Sequence, residues 1–250
     1  MTDLAALIPP HDPAEDAFAT VGGMALDSIP LLGPLAGRAL DHALATRERE
    51  RRREFDVAVV AQLQSLAEGS EAVLTVADVV ASDEFLAAIT YTRRVAAETA
   101  EEAKRQRLAL AAAQAGAWSD IAASERAGFL RLAAKYDELH IWLLAYFADP
   151  IRWLDAHGLT HVHDGITVDD RGTQLAEALG LGPEGERSAD DVPDVVQDAL
   201  DELATDSVLS PIVLDMARDE PFAPQLTSRG RRFLAFLRET APEHQEPPTV

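Results

Sequence analysis

The chain has 250 residues, 47% of them hydrophobic and 6% aromatic, no cysteine, and a formal net charge of −21. It is long enough to bury one large core or two smaller ones. The lack of cysteine excludes disulfides, thiolate catalysis and Cys-based zinc sites, and the charge opposes nucleic acid and anionic lipid unless basic residues cluster.

Alanine and leucine outweigh the β-branched residues, which favours helices over sheets. The start, MTDLAALIPPHDP (1–13), reads as disordered and has no basic and apolar signal-peptide regions, so a cytoplasmic location is expected. A short helix is expected over Ala14–Leu26, with Asp12 as cap and Pro13 in its first position. The stretch VGGMALDSIPLLGPLAGRAL (21–40) then enters a long helix running from about Ser28 to Glu68, its start bent or delayed by Pro34.

The uninterrupted apolar run within that stretch, Ile29–Gly37, is about nine residues, against roughly 20 for a membrane-spanning helix. Gly33, Gly37, Leu32 and Leu35 are therefore assigned to a bundle core, or to a segment that enters a membrane only conditionally. The apolar phase continues through Leu40, Leu44, Phe55, Val59, Leu63 and Leu66, and the arginine run starting at Arg47 and Arg51 charges the seam in its middle.

A short helix over Thr75–Val80 leads to Ser82, a good cap, with Asp83 and Glu84 favouring the helix dipole. From Asp83 one helix is predicted to run to Gly116. Folded back as an antiparallel hairpin against the first long helix, it sets Glu98, Glu101 and Glu102 opposite Arg47 and Arg51, an interhelical charge pairing. A third long helix is predicted from Ser119 or Asp120 to Ala148. Its half LHIWLLAYF is apolar almost all round and hence central. Asp149-Pro150 ends it and starts the next helix, to His157.

Residues 159–250 hold more than half of the net negative charge. THVHDGITVDD reads as a loop turning at Asp164-Gly165. A helix stops at Gly180, another spans about Pro193–Asp206 and buries Val196, Leu200 and Leu203, and PIVLDMARDEP reads as a short strand and turn. A last helix is capped by Thr227 or Ser228 with Phe233, Leu234 and Leu237 inward, and 241–250 read as a disordered tail.

Three stretches, DEFLAAITYTRRVA, ELHIWLLAYFADPIRWL and LTSRGRRFLAFL after PIVLDMARDEP, resemble a loose group of uncharacterised bacterial all-helical proteins. The resemblance implies a helical body with a winged-helix-like C-terminal module and brings no activity. The expected fold is thus mainly α: an elongated antiparallel helical bundle over 14–157, then a small acidic winged-helix-like α+β module over 159–240.

His161, His163 and Asp164 are candidate metal ligands, needing a further one such as His157 or Asp169; a polar loop with solvent histidines is the plainer reading. Asp137-x-x-His140 occurs once, without the second copy a di-iron bundle needs, so His140 reads as a hydrogen-bonded core histidine. The helix that a winged-helix module would present to DNA carries Asp194, Asp198, Asp201 and Glu202, which repel phosphate. No Walker, dinucleotide-binding or G-x-S-x-G pattern occurs, so no catalytic residue and no cofactor are expected. The expected function is a non-enzymatic interaction protein binding another protein or itself. The alternatives are a membrane-perturbing effector acting through 21–40, and a metal-dependent enzyme at His161/His163.

Overall fold

A computed structural model of the chain describes residues 33–69, 75–116, 121–157, 162–163, 166–167, 175–176, 178–181, 192–211 and 224–237. The expectations for residues 1–32 and for the tail at 241–250 lie outside the described residues. The described residues are mainly helical, and the chain divides into two compact units, Met1–Ala134 and Lys135–Val250. The division falls upstream of the 157–159 boundary of the sequence reading. In the second unit, LHIWLLAYF packs against the helices that follow it.

The first unit is built on α1 (Gly33–Gly69), about 55 Å long at 1.5 Å per residue. Phe55, Val59, Leu63 and Leu66 are buried as the apolar phase predicts. α2 (Val76–Val80) opens on a capping box: the Thr75 hydroxyl accepts from the Asp78 N–H, and the Asp78 carboxylate accepts from the Thr75 N–H. α3 (Asp83–Glu98) is capped by Ser82 and buries Phe85, Ala88, Thr92 and Ala96.

The predicted single helix to Gly116 is two. Thr99 and Glu101 are extended, and α4 (Glu102–Gln114) begins after them. α4 runs back along α3: Gly116 abuts Val79 of α2, and Ala115 lines the same cleft as Glu84 and Ala88 at the start of α3. Arg105 holds the reversal, donating to the carbonyls freed at the end of α3, Thr99 (3.4 Å) and Ala100 (2.9 Å). The result is a three-helix packing of α1, α3 and α4 instead of a two-helix hairpin. α4 is central: Leu108, Ala109, Ala111, Ala112 and Ala113 are all 0% exposed. Alanine on several faces lets neighbouring backbones approach closely. α5 (Ala123–Lys135) buries Gly128, Phe129, Leu130, Leu132 and Ala133.

The third predicted long helix also breaks. Asp137 leaves the helix, accepts from the His140 N–H and caps α6 (Glu138–Ala148). In α6 every residue from Leu139 to Phe147 is buried, as the all-round apolar sequence predicts. Asp149 then caps α7 (Pro150–Ala156) with Pro150 in the first turn. Trp142 stacks on Tyr146, and Trp153 packs edge-on against both.

β1 (Val162–His163) pairs antiparallel with β2 (Ile166–Thr167), around the residues where the turn was expected. Residues 175, 176 and 178 are helical and lead to Gly180 at φ +68°, where Leu181 N–H reaches Ala176 O. α8 (Asp194–Thr205) buries Val196, Ala199, Leu200 and Leu203. It ends with Ser207 at φ 60° and Val208 N–H donating to Leu203 O, a Schellman closure. α9 (Ser228–Phe236) is capped by Thr227 and buries Phe233 and Leu234.

The winged-helix-like β module is not supported. Among the described residues of 159–240, β structure is the two-residue hairpin and one bridge, Leu209 to Leu226. Ser210 N–H still donates to Gln225 O, but Pro211 follows and has no N–H with which to continue a ladder.

Candidate functional site

The charged middle of α1 is where sequence places an interhelical site, and the structure rearranges it. Arg47 pairs with Glu50 on its own helix at 3.0 Å, and Arg52 with Glu48 at 2.5 Å. Arg51 does reach α3, but its Nη1 donates to the Ala97 carbonyl at 3.4 Å and not to a carboxylate. Glu98, Glu101 and Glu102 are exposed around the reversal.

The pairs that cross between helices have the opposite polarity. Asp56 of α1 takes Arg93 of α3 in a two-pronged contact, with Nε to Oδ1 at 2.8 Å, and Glu54 takes Arg105 of α4 at 2.8 Å. The physical reason is the reversal: with α4 folded back, α1 faces the arginines of α3 and α4. Sequence reasoning missed Arg93 and Arg105. The signal was Thr99, a poor helix former, six residues before an arginine able to cap its carbonyl.

The stretch 41–50 of α1 is covered by no described residue. Between Asp41 and Glu50 only Thr46 is even half-buried, and Leu44 is 60% exposed. Sequence placed Leu44 in the seam, yet no described residue covers it. The i,i+3 and i,i+4 pairs support this length of helix in water at about 0.3–0.5 kcal/mol each. Gly33, Leu35 and Gly37 lie in the first turns of α1, and Leu32 lies outside the described residues. Among the described residues no helix is long and apolar enough to cross a membrane.

In the second unit, Lys135, Tyr136, Asp137 and His140 meet Glu202 and Asp206. Glu202 lies in the last turn of α8 and Asp206 is its C-cap, where the dipole disfavours carboxylates and α8 supplies no cation. Lys135 supplies it, 2.8 Å from Asp206 and 3.0 Å from Glu202. The buried Tyr136 hydroxyl donates to Asp206 at 2.9 Å. His140 stacks on Tyr136, with Nδ1 2.6 Å from Asp137 and Nε2 3.6 Å from Glu202.

Burial, then the hydrogen bond to Asp206, push the Tyr136 phenol well above its usual range. The hydrogen bond to Asp206 raises the Lys135 ammonium. Both groups therefore hold their protons at neutral pH, so neither is set up as a base or nucleophile. The cluster acts as a clasp that fastens α8 to the start of α6.

His161 and Asp164 lie outside the described residues, as does Asp169. His163 lies in β1, in register with Ile166. His157 stacks on Trp153 at 3.9 Å, with Nδ1 2.8 Å from the Trp153 carbonyl oxygen. Among the described residues no three His, Asp or Glu side chains group as metal ligands. Asp194, Asp198 and Asp201 line the exposed face of α8.

No family model, curated protein or solved structure matches the chain. The likeness of the three quoted stretches to bacterial helical proteins therefore brings neither fold nor function to it.

Proposed function

We propose that the chain is a non-enzymatic interaction protein that associates with a second copy of itself through the exposed stretch 41–53 of α1. The observation carrying this is a pair of complementary exposed faces. On α1, Leu44, 60% exposed, is followed three residues later by Arg47. Between Arg47 and Arg53 five arginines face two glutamates, a basic stretch in a chain of net charge −21. On α8, Val195, 52% exposed, stands among Asp194, Asp198 and Glu202. An exposed leucine at the start of a basic stretch on one face and an apolar residue ringed by acid on the other suit a head-to-tail contact between copies.

Light scattering on the full chain tests the reading. The expected result is an oligomer at low salt that dissociates as salt rises. Leu44→Asp should make it monomeric with an unchanged circular dichroism spectrum. Arg47→Glu should weaken it, and Arg47→Glu with Asp198→Arg should restore it. A monomer at every concentration and salt sinks the reading. Dye release from vesicles by a monomeric chain would move the function to the apolar segment 21–40.

A further inference from the structure

The first unit contains a cleft of about 360 Å³ between α3, α4 and α5. It exists because the residues that meet there are small. The buried Ala88 and Ala115, with Leu130, line it, and so does the exposed Ala127. Alanines at facing positions leave room that larger side chains would fill. Helix periodicity then brings polar groups to the same cleft. Tyr91 lies three residues after Ala88 on α3, and Arg131 four after Ala127 on α5.

The polar groups differ in what they already hold. Arg126 is committed: its guanidinium pairs with Glu84 and donates to the Ile121 carbonyl. Arg131 is exposed and pairs with no described carboxylate, and the Tyr91 hydroxyl bonds to no described residue. The lining thus carries two arginines against one glutamate, a local positive balance in a strongly acidic chain. An apolar cavity of this size with a few polar groups is the form of a small-molecule site. It is too small for a helix of about 10 Å diameter.

We infer that the cleft binds a small amphipathic carboxylate, its tail along the alanine and leucine wall and its carboxylate on Arg131 with the Tyr91 hydroxyl. An arginine takes a carboxylate through two parallel N–H donors, and a tyrosine hydroxyl adds a third. A neutral ligand of the same length would forgo that contact and keep only the apolar wall.

Calorimetric titration of the full chain with decanoate and with decanol, both below their aggregation limits, tests this. The expected result is one saturable decanoate site per chain, about fivefold tighter than decanol. Arg131→Gln should bring the two to similar affinity. Ala127→Phe, on an exposed helical position, should fill the cleft and weaken decanoate by about tenfold, with melting unchanged. Equal binding of decanoate and decanol to the unaltered chain overturns the inference. Decanoate binding that survives Ala127→Phe in a folded protein does so too, as does the lack of a saturable site.

Discussion

Gly230 shows how little room a single position can have. A Cβ built there would lie 2.0 Å from the Val208 carbonyl oxygen, a backbone atom held in place because the same oxygen accepts from Thr227 N–H. Gly230→Ala must therefore push α9 away from the end of α8. A loss of about 3 kcal/mol is expected, read from chemical denaturation; near-neutral behaviour would mean that the two backbones do not meet. The neighbouring cap was legible in the sequence: Thr227 accepts from Gly230 N–H as an N-cap must. The tight glycine was not, because its constraint comes from a carbonyl more than twenty residues earlier. The acceptor of the Tyr136 hydroxyl, Asp206, could not be read from local spacing either.

At the scale of elements, the periodic signals held where a helix packs against a described neighbour and failed at Leu44, which α1 leaves 60% exposed. Phe55, Val59, Leu63 and Leu66 are buried as predicted, and so are Leu139, Leu143 and Phe147 of LHIWLLAYF. The single helix predicted from Asp83 to Gly116 fails after Thr99. Ala103 is exposed, while Arg105 and Leu108 are buried, because the reversal resets which face of the helix looks inward. Arg105 is the residue that holds this turn, through two carbonyls and Glu54. Arg105→Met keeps the length of the stem and removes the donors. It should cost about 2 kcal/mol in denaturant unfolding, with the α3–α4 amides losing hydrogen-exchange protection first. Unchanged protection there would show that packing of the alanine face holds the reversal by itself. The exposed stretch 41–50 of α1 has the opposite logic: its own ion pairs support it, so substituting Leu44 should leave the stability of the dissociated chain at high salt where it was.

For the molecule as a whole, the clasp sets how stability depends on alkaline pH. The folded-state values of Tyr136 and Lys135 are both raised. Groups of this kind contribute their full stabilisation below their unfolded values, near 10, and lose it as pH rises through that region. Above about pH 10 the unfolded chain gives up protons that the native state keeps, and for Tyr136 the slope approaches about 1.4 kcal/mol per pH unit. Lys135 adds in the same direction, screened because its side chain is 43% exposed. Tyr136→Phe should cost about 1 kcal/mol at pH 8 through the lost hydrogen bond to Asp206, and it should flatten the decline above pH 10. Denaturant midpoints of both proteins across that range decide the matter: parallel curves would mean that the phenol is not what titrates.

The amino-acid sequence by itself determined that this chain is mainly helical, where most helices begin, and which stripe of each is apolar. Caps such as Ser82, Asp149 and Thr227 act within a single turn, and periodicity is a property of one helix, so both are visible without a fold. Only the tertiary structure decided that the helix from Asp83 reverses at Thr99, that arginines of α3 and α4 face acids of α1, and that Asp206 ties α8 to Tyr136. It also decided that alanines of three helices border one cleft. Each of these depends on groups far apart in the chain. Which of several weak local options wins is then settled by which distant side chain is there to satisfy a carbonyl, a charge or a hydroxyl.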